Sequence, residues 1–385
     1  MDDVRKAAVD WLNQSPLYRM SLGSRELFHT NFLAWLFEQY PSSLAIFGVE
    51  GTGPWQIRRE YKHIDIAVFS AGETRPRLII ENKVKDVVRP AQLNRYAETT
   101  FPDAASRVVL SLVPFDNSAS GWLSITYLQL HLLMTKWLET EDVGNARDSL
   151  FIEEYINLIR NLGLICESAF DAASIENEYW FGRNAYYGEL SRIGFHDTLS
   201  KYQAQIFARQ MGARLSDHMT VAYRGGETPS GKHVLIWTDL FRATPCASFV
   251  VVPDAAKHIP RLEVQIQGRQ YRHMFVHPEL ENAIEASASL EDQTILRTAV
   301  EQLGGYNWLF GREKHAGCFA IQRPDGSVRH VRSAMRKPLN SYRPNVVYQY
   351  LDIDADGGET RLTVDELFEQ TRHDLEFAFA LLERG

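Results

Sequence analysis

Leu78-Ile79-Ile80-Glu81-Asn82-Lys83 reads as a buried strand that ends in a carboxylate and an amine two residues apart. Side chains alternate across a strand, so Ile79, Glu81 and Lys83 share one face while Leu78, Ile80 and Asn82 take the other. Burying an acid and an ammonium at the end of an apolar run is costly unless the two are paired or hold a metal. A second strand lies just upstream, Ile64-Asp65-Ile66-Ala67-Val68-Phe69, and its one acid, Asp65, interrupts the apolar run. Side by side, the two strands can bring Asp65, Glu81 and Lys83 to one point. Two hard oxygen ligands suit Mg²⁺, which takes one or two protein carboxylates and leaves its other positions to water and phosphate. A lysine beside them can orient or deprotonate a water, or neutralise a phosphate in the transition state.

The neighbouring segments extend the pattern. Ser24 is suited to cap a helix running to about Tyr40, with Leu27, Phe28, Phe32, Trp35 and Leu36 at helical spacing and Glu26 in the first turn. Trp55 to Tyr61 reads as a strand, Lys62-His63 as a turn or bulge, and Ser70 to Pro76 as a turn. Arg89-Pro90 opens a helix on which Gln92 and Tyr96, four apart, share a face. Strands at Arg107 to Val113 and Leu123 to Leu128 follow, then helices at Leu130 to Glu139 and Asp148 to Leu164. By residue type alone, Glu26 merely favours the helix dipole and Gln92 is an ordinary solvated helix residue.

This constellation resembles the PD-(D/E)xK nuclease superfamily over roughly residues 20 to 130: Asp65, then Glu81-Asn82-Lys83 after a hairpin, then Gln92 and Tyr96 on a following helix. The proline of the family name is absent, since Ile64 stands before Asp65. The resemblance implies an α/β fold with a restriction-endonuclease-like core, a mixed central sheet flanked by helices, followed by an α+β C-terminal domain. It implies that Asp65, Glu81 and the Asn82 backbone carbonyl bind Mg²⁺ or Mn²⁺. Glu26 would reach the metal through water, and Lys83 would handle the attacking water. Gln92, Tyr96 and Arg89 would lie near the nucleic acid. The implied activity is hydrolysis of phosphodiester bonds by an endonuclease, in DNA rather than RNA, and a free-standing enzyme of this kind suggests restriction or anti-phage defence.

The bulk numbers leave room for this. A chain of 385 residues is too long for one small domain, and we place a nuclease-like domain at 1–168 and an α+β domain at 169–385 for target recognition or oligomerisation. Hydrophobic and charged contents of 45% and 23% are those of an ordinary globular protein. Cys166, Cys246 and Cys318 are too far apart for a disulfide framework or a zinc site and fit a reducing compartment. Met1 to Lys6 lacks a signal-peptide layout and no apolar run could span a membrane, so a cytoplasmic protein is expected. The net charge of −8 argues against a general nucleic-acid coat. Two stretches run against it: nine Lys or Arg face five acids from Arg58 to Arg95, and eight face two from Arg312 to Arg343.

The second half carries weaker signals. Tyr179, Trp180, Phe181, Tyr186 and Tyr187 suit either a stacking platform for unpaired bases or, the favoured reading, a packed junction between domains. Strands at 233–237, 248–253, 261–267 and 270–276 alternate in polarity and predict an antiparallel sheet. Helices are expected at 198–215, 283–303 and 364–384, and strands at 308–321, 328–332 and 346–353. Arg332, Arg336 and Lys337 could follow a phosphate backbone, or belong to a solvated strand pair. Asp352, Asp354, Asp356 and Gly357 mimic the start of a calcium loop, but Thr363 stands where its closing Glu is required, so an acidic turn is expected.

Two other readings compete. One is a catalytically inactive nucleic-acid-binding protein with a nuclease fold. The other is an adaptor in which Glu81 and Lys83 form a buried ion pair, although such pairs stabilise weakly and Asp65 would add an uncompensated charge. A homodimer or a partner protein is compatible with either domain, and no segment announces the face.

Overall fold

The computed structural model describes residues 2–22, 25–51, 53–84, 88, 90–113, 121–169, 185–224, 228–239, 245–253, 260–268, 270–287, 293–309, 318–323, 325–332, 339–352 and 363–384. The proposed cap Ser24, the Tyr179 to Phe181 aromatics and the acidic stretch beyond Asp352 lie outside them. The protein is α/β and divides into two compact units, one of Met1–Asp171 with Ala185–Tyr202 and one holding Gln203–Gly385.

The first unit opens with helices α1 (Asp2–Gln14), α2 (Pro16–Ser21) and α3 (Arg25–Gln39) and a 3₁₀ turn, Pro41–Phe47. Strands β1 (Trp55–Tyr61), β2 (Ile64–Ser70) and β3 (Leu78–Lys83) follow, then α4 (Pro90–Arg95), which runs on as a wider π-type turn over Tyr96–Thr100. Strands β4 (Ser106–Ser111) and β5 (Leu123–Thr126) and helices α5 (Tyr127–Thr140) and α6 (Ala146–Ala169) complete the layer. The strands form one sheet in the order β1-β2-β3-β4-β5. β1 and β2 pair antiparallel, as do β2 and β3, whereas β3 with β4 and β4 with β5 are parallel.

β3 lies at the centre, and all six of its residues are buried. That is why its first half, Leu78 to Ile80, reads as an unbroken apolar run rather than an alternating one. Ile79 packs in one core with Ala67, Phe69 and Val109 of the sheet and with Leu93 and Tyr96 of the α4 segment. α3 packs on β2 and β3, and Asn82 reaches α3 and α5 by hydrogen bonds. The β1–β2 hairpin turns on Lys62 and His63, with φ of 53° and 69°. Positive φ at both central residues is the hairpin geometry that matches strand twist, here adopted without glycine or asparagine and therefore under strain.

Two boundaries differ from the sequence expectation. β5 ends at Thr126 instead of continuing to Leu128, because the Thr126 side chain and Gln129 form a reciprocal capping box that starts α5 at Tyr127. The first unit does not end at 168, since Ala185–Tyr202 returns to it. That segment carries helix α7 (Ala185–Arg192) and the start of α8 (His196–Leu215). It buries Leu190, Ile193, Phe195 and Tyr202, and Tyr18 donates to the Ile193 carbonyl at 2.7 Å.

The second unit is built on a seven-stranded sheet of β6 (Val221–Tyr223), β7 (His233–Asp239), β8 (Cys246–Val252), β9 (Arg261–Gln267), β10 (Gln270–Val276), β13 (Asn340–Arg343) and β14 (Val346–Asp352). The four strands expected to pair antiparallel, β7 to β10, do so, and β6, which was not expected, adds parallel to β7. One face packs Phe249, Val264, Ile266 and Phe275 against Phe207 and Met211 of α8 and against Leu367 and Leu375 of α12 (Val364–Arg384). The helix expected over 283–303 is two, α9 (Leu280–Ala286) and α10 (Gln293–Gln302). Of the strand expected over 308–321, the part described as strand is Cys318 onward. Trp308 lies in the short helix α11 (Tyr306–Leu309), buried and donating to the Met274 carbonyl at 2.9 Å. β11 (Cys318–Gln322) and β12 (Val328–Arg332) form a separate hairpin. Among the described residues no helix is long and apolar enough to cross a membrane.

Candidate active site

The strand register brings the acids together. Ile66 pairs with Ile80, so one step further along Asp65 stands opposite Glu81. Lys83 lies two residues beyond Glu81 on the same face, and its ammonium is 2.8 Å from Glu81 Oε1. Gln92 of α4 donates to that same oxygen at 2.8 Å. Gln92 also donates to the Tyr96 hydroxyl at 3.1 Å, and Tyr96 donates to the His63 carbonyl at 2.6 Å. The glutamine and tyrosine four apart therefore do two jobs. One fixes Glu81, and the other braces the strained turn that precedes Asp65.

Glu81 Oε2 is buried and accepts no hydrogen bond from the described residues. A buried carboxylate oxygen without a partner is costly, and a cation would satisfy it. Asp65 Oδ2 accepts from the Asn82 backbone N–H at 2.6 Å. Even so, burial first and the neighbouring Glu81 charge second push its pKa up to about 8. Burial also raises Glu81, against the opposing pull of Lys83. For Lys83, burial works against the charged form, but the Glu81 carboxylate beside it prevails and the pKa stands above its usual value.

Both acids are held above their normal pKa by burial, Asp65 also by Glu81, and Glu81 by Glu26 and Glu60, so the pair is short of positive charge, and this fits a divalent cation. Among the described residues no group of three or more His, Cys, Asp or Glu is placed to hold a metal. The two carboxylates, Asp65 and Glu81, are an oxygen-only donor pair.

Glu26 lies in the first turn of α3. Its charge raises the pKa of both Glu81 and Lys83, and its backbone carbonyl accepts from the Asn82 side chain at 3.2 Å. Of the candidate nucleic-acid contacts, Gln92 and Tyr96 belong to the site. Arg89, Arg336 and Lys337 lie outside the described residues, and Arg332 is described only as the last backbone position of β12. In the basic run from Arg58, Lys62 lies over the Tyr61 and Phe101 rings and Arg95 over Tyr96, while Arg77 is paired with Glu73.

Three residues were not found from sequence. Glu60, between the pairs Arg59 with Ile66 and Tyr61 with Ile64, stands opposite Asp65 with φ of 51°, and its charge raises both Asp65 and Glu81. Its place two residues before the hairpin turn was the available signal. Tyr127 donates to Asn82 Oδ1, and Tyr202 donates to the Lys83 carbonyl at 3.1 Å. No local pattern marks either one.

No protein-family model matches this chain, and no curated protein or solved structure does.

Gln92→Leu removes one of the two hydrogen bonds to Glu81 Oε1 and leaves α4 intact. Loss of such an outer partner costs about 10–100-fold in metal affinity or activity. The expected result is a matching rise in the Mn²⁺ midpoint with a melting temperature close to wild type, read by calorimetric titration and thermal unfolding.

Proposed function

We propose that the first unit is a metal-dependent nuclease with a restriction-endonuclease-like core, hydrolysing phosphodiester bonds in DNA. The observation that carries this is the opposition of Asp65 and Glu81 across adjacent strands, with Lys83 on Glu81 and one buried Glu81 oxygen without a donor among the described residues. The strand order, antiparallel on the β1 side and parallel on the β5 side, is compatible with that core.

Asp65 and Glu81 would hold Mg²⁺ or Mn²⁺, with the Asn82 carbonyl as a further oxygen. Such an ion lowers the pKa of a bound water and neutralises charge on phosphate oxygens. Glu81 is aimed by Gln92 and Lys83, which share its Oε1. With its pKa raised by Glu81, Lys83 stays protonated near neutrality. Its role is therefore to donate hydrogen bonds to the attacking water or to the phosphate and to counter the charge that develops there, rather than to remove a proton. Lys62 and Arg95, exposed near the hairpin and α4, supply positive charge for the backbone of the substrate.

The test is cutting of supercoiled plasmid by wild type and Asp65→Ala, each with Mg²⁺, Mn²⁺ and EDTA. Cutting that needs metal and vanishes in the variant supports the reading. Absence both of cutting and of Asp65-dependent metal binding overturns it. Metal binding and DNA retardation without cutting would favour the inactive binder instead.

A further inference from the structure

Asn82, the middle residue between Glu81 and Lys83, faces the opposite side of β3 from them, the side of Leu78 and Ile80. Both of those residues are fully buried, so an aliphatic residue would be the expected occupant at 82. Instead an amide sits there, 1% exposed, with each of its polar atoms engaged. Its Oδ1 accepts from the Tyr127 hydroxyl, and its Nδ2 donates to the Glu26 carbonyl at 3.2 Å. Its backbone N–H donates to Asp65 Oδ2 at 2.6 Å.

Tyr127 is itself fully buried and is braced in turn. The His29 ring meets it edge-on at 5.0 Å between centroids, and His29 Nδ1 lies 2.9 Å from the Tyr155 hydroxyl. A buried hydrogen-bonded pair adds little net stability over an apolar pair of the same shape. What such a pair does supply is direction, because it is satisfied in one arrangement only.

We infer that Tyr127 is a positioning residue of the proposed nuclease, acting through Asn82 to fix the strand end that aims Asp65 and Glu81. The inference rests on the nuclease reading above. Tyr127 grips the Asn82 side chain from α5 while the Glu26 carbonyl grips it from α3. The backbone N–H of Asn82, the residue next to Glu81 in the chain, then holds Asp65 in place. A twist of the strand at Asn82 would move the two carboxylates relative to each other, and the tyrosine hydroxyl resists that twist.

The experiment compares full-length wild type, Tyr127→Phe and the double variant Asn82→Leu with Tyr127→Phe. Three quantities are read: steady-state cutting of supercoiled plasmid with Mn²⁺, the Mn²⁺ binding midpoint and the melting temperature. Tyr127→Phe is expected to lower kcat by about tenfold and raise the Mn²⁺ midpoint, with KM for plasmid unchanged. The double variant, with both partners apolar, is expected to melt like wild type while its cutting stays low. Wild-type kcat and Mn²⁺ midpoint in Tyr127→Phe would overturn the inference. So would recovery of cutting together with stability in the double variant, since the pair would then be structural only. If wild type binds Mn²⁺ through Asp65 yet leaves plasmid intact, the midpoint alone decides in the same way. If wild type shows no Asp65-dependent Mn²⁺ binding, the nuclease reading itself falls and this inference with it.

Discussion

Asp65→Asn is expected to abolish metal-dependent cutting, by about 10³-fold or more, while making the metal-free protein more stable. Asparagine keeps an oxygen that can accept from the Asn82 N–H, so the local geometry survives. What it removes is the charge that burial and Glu81 oppose. The sign follows from linkage. A carboxyl whose folded pKa is raised, here to about 8, holds its proton in the folded state where the unfolded chain has lost it. Its contribution to stability is therefore lost as pH rises from the ordinary carboxylate range towards 8, with a limiting slope of about 1.4 kcal/mol per pH unit. Thermal unfolding of wild type and variant between pH 5 and pH 9, in EDTA, should show curves that diverge with rising pH. Mn²⁺ should erase the divergence by stabilising wild type alone. A variant that is less stable than wild type at the alkaline end would refute the electrostatic account of Asp65. In the same terms, metal binding by wild type should tighten with pH up to about 8, because the proton on Asp65 competes with the cation.

Lys83→Met should act on both stability and cutting. The ammonium and the Glu81 carboxylate have side-chain exposures of 10% and 3%, so the pair is desolvated. Breaking such a pair from one side leaves a buried charge and costs about 3–5 kcal/mol, reduced to the extent that Glu81 takes up a proton. Cutting should fall by about 10²–10³-fold, the scale seen when one donor to a developing charge is lost. Lys83→Arg separates the two effects. Its guanidinium restores the charge beside Glu81, so stability should largely recover, but its planar fork cannot present an ammonium at the same point and cutting should stay low. Denaturant unfolding and plasmid cutting on the three proteins would settle this. Full activity in Lys83→Met would remove the lysine from the mechanism.

Glu60 enlarges the electrostatic picture. It lies between the β1–β2 pairs that flank Asp65, and its charge raises both Asp65 and Glu81, so three acids act on one another at the end of β1, β2 and β3. Like charges directly opposite one another destabilise a sheet. The sheet tolerates this row at one end only, where the hairpin backbone is already strained and the Lys83 ammonium and the Tyr96 brace are at hand.

The sequence by itself determined the elements that carry local periodicity. Leu78 to Lys83 reads as a strand because it is buried on both faces, and Glu81 and Lys83 share a face because side chains alternate. Gln92 and Tyr96 meet because a helix brings residues four apart together. Asp65 stood out as the single charge in an apolar strand. Tertiary structure alone decided what these groups do. It set the register that puts Asp65 opposite Glu81 and Glu60 opposite Asp65, and it placed Lys83 and Gln92 on one Glu81 oxygen, leaving the other without a donor among the described residues. It brought Tyr127 to Asn82 across 45 residues and Tyr202 to Lys83 across 119, returning a segment to the first unit that its position along the chain would assign to the second. Alternation and helical spacing are fixed by backbone geometry over a few residues, so they are written in neighbouring letters. Contacts over such separations depend on how whole faces pack, and no short stretch of sequence encodes them.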